Sequence, residues 1–399
     1  MTSTPHNLSP TESLSCKLPI ELWDKIIHEV EAIEDRALTE DIWTGKKAQK
    51  KAQIGHDDIH YENRFLSLEV PKWRNCLRTC KSLVLVCRLW RDIFTPFLYS
   101  SLHITRSGEC GAVSSHQIAE ILRNRPSYRY YIRRLEIWST ESIMECAFLI
   151  SICDRLQILG LPKDFDWTEV TQFVSELPVI KHLSIRYSQP AMLVPWAALR
   201  RPLEPFPAIV ALPNLQALQV SVSSDRLLFS PACSLPSLRI LKLDTLDAVS
   251  YPILSRVAST LQEIETGGFI SSKDSWLAGL VPTPFPRLQK ITITVQSGYL
   301  SWLSWVFPPP VPALRTLDIS GSSRYFINSV KDALDIKSKY GVQWAPKLDV
   351  IRALLYPCDH ADWCTMQCTD IDKSIEWFSC QDTARRLNIR LEIDRLDAR

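Results

Sequence analysis

A six-residue phrase, Leu-x-x-Leu-x-Ile/Leu/Val, recurs through the body of this chain and constrains its fold more than any other feature. It reads Leu156-Gln157-Ile158-Leu159-Gly160-Leu161, then Ile180-Lys181-His182-Leu183-Ser184-Ile185, then Leu215-Gln216-Ala217-Leu218-Gln219-Val220. It returns as Leu238-Arg239-Ile240-Leu241-Lys242-Leu243, Leu288-Gln289-Lys290-Ile291-Thr292-Ile293 and Leu314-Arg315-Thr316-Leu317-Asp318-Ile319. Leu261 to Thr266 is a degenerate copy, and Arg134-Leu135-Glu136-Ile137 is read as the first. The central apolar residues fall at 135, 159, 183, 218, 241, 264, 291 and 317, with gaps of 24, 24, 35, 23, 23, 27 and 26 residues. One such phrase arises easily by chance, but a series at this spacing marks a stack of like units.

The alternation closing each phrase predicts a strand that buries every second side chain. Pro213, Pro236, Pro286 and Pro312 each stand two residues before the first Leu of a phrase, which predicts a turn into the strand. The segments between phrases, such as Tyr251 to Ser259, read as short helices. The wide gap holds Pro190, Pro195, Pro202, Pro205 and Pro207 and reads as an inserted loop. The phrases resemble leucine-rich repeats, though the Asn or Cys that usually follows the strand is mostly missing. The resemblance implies an α/β solenoid, an irregular horseshoe with a concave parallel sheet over residues 105–399, C-terminal cap included. On that face His182, Ser184, Gln219, Lys242, Glu265, Lys290, Thr292 and Asp318 are candidates to meet a partner. The plainer alternative is that they are solvated strand positions.

The N-terminal quarter carries a second signal in two pieces. Pro19, Glu21 and Asp24 suit the first turns of a helix, and Leu22, Trp23, Ile26, Ile27 and Val30 follow at helical spacing. Later, Leu83, Val86, Leu89 and Trp90 are expected on one helical face, with Leu85 and Ile93 beside it and Pro96 ending the helix. The Leu18-Pro19 opening and the Val86-Cys87-Arg88-x-Trp90 run resemble an F-box, and Leu98 to Ile104 resembles its exit into a first strand. A stretch of about fifty residues separates the halves, and its polar part is expected as a long inserted loop. The expected layout is therefore a tail over 1–16 and an F-box over 17–104 interrupted at about 31–76. The resemblance implies docking on the SKP adaptor of a cullin–RING ubiquitin ligase through Leu18, Pro19, Leu22, Trp23, Ile26, Ile27, Leu83, Val86, Leu89 and Trp90. The rest of the chain would then select a protein substrate. The alternatives are a repeat scaffold whose F-box-like helices merely cap the solenoid, and an enzyme whose site is assembled from dispersed residues without a motif.

Lysine and arginine total 46 against 44 for aspartate and glutamate, a net charge of +2. That near-neutral balance favours neither a nucleic-acid nor a membrane partner. No run of eighteen apolar residues appears, and residues 1–17 are polar, unlike a signal peptide. Twelve cysteines in such a chain point to reduced thiols in the cytoplasm or nucleus. Lys46, Lys47, Lys50 and Lys51 read as a solvated loop face, with nuclear import as the alternative. No P-loop, dinucleotide fingerprint, nucleophile elbow or His-Glu-x-x-His motif occurs, so no cofactor and no catalytic residue is expected. His56 and His60 are two donors short of a metal site. Cys358, His360, Cys364, Cys368 and Cys380 lack the paired short spacing of a zinc knuckle and read as packing thiols, with zinc as the alternative.

Overall fold

A computed structural model of the chain describes residues 81–86, 88–104, 115–137, 143–162, 179–186, 212–220, 234–243, 251–266, 284–295, 310–321, 323–355 and 374–395. Leu18, Pro19, Leu22, Trp23, Ile26 and Ile27 lie outside these residues, as do the insertion at 31–76, Cys87, the loop at 187–211, and Cys358, His360, Cys364 and Cys368. Eleven strands form one sheet in sequence order, β1 to β11, and every neighbouring pair is parallel. They are β1 Ser101–Ile104, β2 Arg134–Ile137, β3 Ile158–Pro162, β4 His182–Arg186, β5 Ala217–Val220 and β6 Ile240–Leu243. β7 Glu263–Thr266, β8 Lys290–Val295, β9 Thr316–Gly321, β10 Val350–Leu355 and β11 Arg390–Arg395 complete it. Among the described residues six α-helices accompany them, one before β1 and five between strands: α1 Arg88–Ser100, α2 Ser115–Asn124, α3 Ile143–Ile152, α4 Tyr251–Val257, α5 Ser323–Trp344 and α6 Ile375–Arg386. Sequential parallel strands with intervening crossovers make a solenoid-like α/β arrangement.

The register aligns the recurring phrase with itself. Leu135, Leu159, Leu183, Leu218, Leu241, Ile264, Ile291 and Leu317 stand opposite one another in one row across the sheet. Every one of them is buried, because the period-two pleat turns this row and its i+2 neighbours toward the helices. Helix α3 is apolar for most of its length and buries Cys146, Ala147, Leu149 and Ile150 in the same core. Before the strands, the prolines occupy the second position of four-residue turns. Leu215 N donates to Leu212 O (3.2 Å), Leu238 N to Leu235 O (3.2 Å), Leu288 N to Phe285 O (3.4 Å) and Leu314 N to Val311 O (3.2 Å). Proline presets the backbone angle that this position needs, and the residues at both ends of each turn sink into the core.

Two strands extend the series beyond the expected phrases. Leu348-Asp349-Val350-Ile351-Arg352-Ala353 keeps the pattern, preceded by Pro346, with Ile351 opposite Leu317. At β11 the first Leu is replaced by Asn388, which takes a left-handed conformation (φ 55°) at the end of α6. Asparagine tolerates that geometry better than most residues.

Two local expectations fail in the entry segment. Residues 84–86 form a turn, with Leu85 N bonded to Ser82 O (3.2 Å) and Val86 N to Leu83 O (3.1 Å). Leu83 and Val86 therefore do not share a continuous helical face with Leu89 and Trp90, which belong to α1. Valines at 84 and 86 lose rotamer freedom in a helix, which favours the break. Pro96 lies inside α1 rather than ending it. The hydroxyl of Thr95 donates to Arg91 O (2.6 Å), and Phe94 is fully buried, so packing holds the last turn beyond the proline.

Removing part of the central row tests this architecture. Leu218→Ala should destabilise the chain by about 2–5 kcal/mol, as large-to-small core changes do. Since units in a stack contact only their neighbours, hydrogen exchange should accelerate most in β4 to β6 and least in β10 and β11. A uniform change across all strands would contradict it.

Candidate interaction surfaces

The sheet face opposite the core carries one polar row and one mixed row, in which Ile158, Ala217, Ile240 and Val350 are interspersed with polar residues. One row runs Glu136, Gly160, Ser184, Gln219, Lys242, Glu265, Thr292, Asp318, Arg352, Glu392 across β2 to β11. The second includes Arg134, His182, Lys290 and Arg390. All eight residues expected to meet a partner fall in these rows, on the contiguous strands β4 to β9. They are less open than solvated strand positions: Ser184, Lys242, Thr292 and Asp318 are buried, and His182, Gln219, Glu265 and Lys290 are half-buried. Parallel strands stand close, at about 4.8 Å, so a side chain on one strand covers the next.

Most of these side chains engage a neighbour. Ser184 Oγ donates to Gln219 Oε1 (3.3 Å), and Lys242 Nζ is 2.7 Å from Glu265 Oε2. At the far end Asp318, 1% exposed, sits between Lys290 Nζ (3.4 Å) and Arg352 Nη1 (3.7 Å). Arg352 continues to Glu392 (3.3 Å), which also pairs with Arg390 (2.8 Å). At the near end the Arg134 guanidinium bonds the Glu136 carboxylate, both buried, and Glu136 lies across Gly160, where a Cβ would come within 3.3 Å of its Cγ. The sequence reading missed Arg134, Glu136, Arg352, Arg390 and Glu392. The Pro346 turn was the available signal for Arg352. Burial holds the His182 imidazole down at about 4, helped by the positive charges of Lys181 and Arg134, so it is neutral near neutral pH.

The entry end is different in character. Leu85 is 73% and Val86 60% exposed, adjacent in the turn before α1, and Leu83 is half-buried beside them. Trp90 packs on Phe94 (ring centroids 5.8 Å), Phe94 on Phe97 (6.1 Å), and Tyr99 on Tyr128 (4.5 Å). The second half of α1 is thus bound into the solenoid, while the turn before it presents apolar side chains to solvent.

A serine, a histidine and an acid also meet. Ser115 Oγ donates to Glu145 Oε2 (2.7 Å), and His116 Nδ1 is 2.8 Å from Glu145 Oε1. These contacts, Ser115 first and then His116, hold the Glu145 carboxyl below its usual range. A nucleophilic serine needs the histidine as its own base. Here both residues address the acid, which ties α2 to α3. Cys146, Cys153 and Cys380 are buried free thiols, and burial pushes Cys153 up to about 12 and Cys380 above its usual value. Among the described residues no group of three or more His, Cys, Asp or Glu is placed to hold a metal ion. No described helix is long and apolar enough to cross a membrane. Comparison with models of known protein families and with curated proteins gave no match.

The two rows yield two expectations. The unfolded chain protonates His182 near pH 6.5, well above the folded chain. Stability that depends on this residue is full above about pH 6.5 and is lost as pH falls toward about 4, by at most about 1.4 kcal/mol per pH unit. Urea midpoints should therefore fall less for His182→Gln than for the wild type over that window. An equal fall would contradict the burial of the ring. Lys290→Met with Arg352→Met leaves the Asp318 carboxylate buried without a cation, and should cost about 3–5 kcal/mol. Adding Asp318→Asn should recover most of that loss, and thermal unfolding of the wild type and the two variants checks it.

Proposed function

We propose that the chain is a substrate-recognition subunit of an SCF-type cullin–RING ubiquitin ligase. Its F-box-like stretch docks on the SKP adaptor, and its leucine-rich-repeat solenoid holds a target protein on the polar sheet face. The observation that carries the reading is the exposed pair Leu85 and Val86, set at the start of the Val86-Cys87-Arg88-x-Trp90 run and anchored to the solenoid by α1. Adjacent apolar side chains held in water on a packed support suit a protein interface. Leu18, Pro19, Leu22, Trp23, Ile26 and Ile27 supply the other half of the docking surface in this reading. Buried free thiols fit a reducing compartment, the cytoplasm or nucleus.

The mechanism is proximity. One end of the chain binds the adaptor while the solenoid holds a target near the ubiquitin-loaded enzyme, raising its effective concentration. No residue of this chain needs to be catalytic, and no cofactor, nucleic acid or membrane enters the scheme.

A second reading has its own support. Phe94 is fully buried and Tyr99 stacks on Tyr128, so α1 covers the first strand as a cap would. In that reading the chain is a scaffold without a ligase. Co-expression with the SKP adaptor and size-exclusion chromatography separates the two. The ligase reading expects a one-to-one complex, lost in Leu18→Ala/Pro19→Ala and weakened roughly a hundredfold in Leu85→Asp/Val86→Asp, with unchanged circular dichroism in both. A folded wild-type chain that forms no complex would leave the cap reading.

A further inference from the structure

The last strand of the sheet is bonded on one side only. Arg390 N donates to Asp349 O (2.8 Å), and successive residues of a strand address opposite neighbours. Arg390, Glu392 and Asp394 therefore turn their backbone groups toward β10. Leu391, Ile393 and Arg395 turn theirs outward, where no other strand meets β11 among the described residues. An unpaired edge of this kind is a template for another strand. The apolar side of β11 is also incompletely covered. Leu391 and Ile393 are half-buried, whereas their counterparts Ile351 and Ala353 on β10, and Leu317 and Ile319 on β9, are fully buried. On α6, the helix that packs against β11, Ile375 is 84% and Phe378 52% exposed.

We propose that two copies of this chain pair through β11, antiparallel, about a two-fold axis at Glu392. This inference does not depend on the ligase reading. In that register Leu391 faces the partner's Ile393, and Ile393 the partner's Leu391. Both residues have outward backbone groups, so each facing pair exchanges two N–H···O bonds, and their side chains extend the core row across the junction. On the polar side Arg390 faces the partner's Asp394, twice over by symmetry. Asp394 has no ion pair of its own among the described residues, so it is available for that cation. The two Glu392 carboxylates meet at the axis, but each is already held by Arg352 (3.3 Å) and Arg390 (2.8 Å) of its own chain. A guanidinium has donors enough to serve both Glu392 and the partner's Asp394. Moving the axis to Ile393 would instead set Glu392 against the partner's Asp394, two like charges directly opposed. Moving it to Leu391 would set Arg390 against the partner's Glu392, which Arg352 already holds, and would leave Asp394 against the partner's Asn388, with no cation. Of the three registers, the one at Glu392 gives both Glu392 and Asp394 a cation, and the symmetry closes the assembly at two copies.

Sedimentation equilibrium of the full chain at tens of micromolar should return twice the 45.7 kDa of one chain. Asp394→Arg should dissociate it, raising Kd about tenfold or more, and Arg390→Asp should do the same. Asp394→Arg combined with Arg390→Asp restores opposite charges across the axis and should restore the dimer. Matching urea midpoints for all four proteins exclude unfolding as the cause. A wild-type mass of 45.7 kDa, single variants that stay dimeric, or a double variant that stays monomeric would each overturn the proposal.

Discussion

One apolar residue per turn, stacked on its neighbours, holds this molecule together. Leu135, Leu159, Leu183, Leu218 and their successors to Ile351 lose contact with water only when the strands on both sides are in place. The backbone is tied by an equally regular device. From β2 to β9 a single carbonyl before each strand accepts two N–H groups from the next turn: Gln157 and Ile158 on Arg133 O, Gln216 and Ala217 on Lys181 O, and Arg315 and Thr316 on Gln289 O among them. That carbonyl belongs to a polar residue throughout the series, which keeps the side chain out of the core. Stacking and bonding together make each turn depend on its neighbours and on little else.

The polar face follows from the same spacing. Strands packed this closely cannot leave their charged side chains separately solvated, so acids and bases interleave: Lys242 with Glu265, Lys290 and Arg352 with Asp318, Arg352 and Arg390 with Glu392. A partner that binds here meets a face whose charges are already largely compensated. Exchange of existing ion pairs, rather than capture of free charge, would set its specificity. Half-buried Gln219, Glu265, Arg352 and Glu392 are the more open members of their row.

How much of this was legible depended on whether the signal was local. Period-two alternation and the Pro213, Pro236, Pro286 and Pro312 turns repeat within a few residues, so the central row was read residue by residue and aligns in the sheet as expected. β10 kept the pattern with a weak Ala353 at its end, and β11 lost its first Leu to Asn388, so both went unread. Burial on the polar face was invisible because it depends on residues about twenty-five or more positions away. The unbroken α1 across Pro96 was missed for the same reason: Phe94 and Tyr99 hold the helix by tertiary contacts that outweigh one missing donor. Ser115 and Glu145, thirty residues apart, carried no sequence signal at all.

The solenoid's beginning and its core are thus one structure, with α1 running straight into β1 and the exposed turn at Leu85 and Val86 fixed to that support. In the proposed reading this turn is a docking element. Hydrogen–deuterium exchange on the full chain, with and without the purified SKP adaptor, tests it most directly. The expected result is new protection at residues 18–27 and between residues 81 and 93, with the strands β4 to β9 unchanged. Protection confined to the polar sheet face, or no change anywhere in a folded chain, would contradict it.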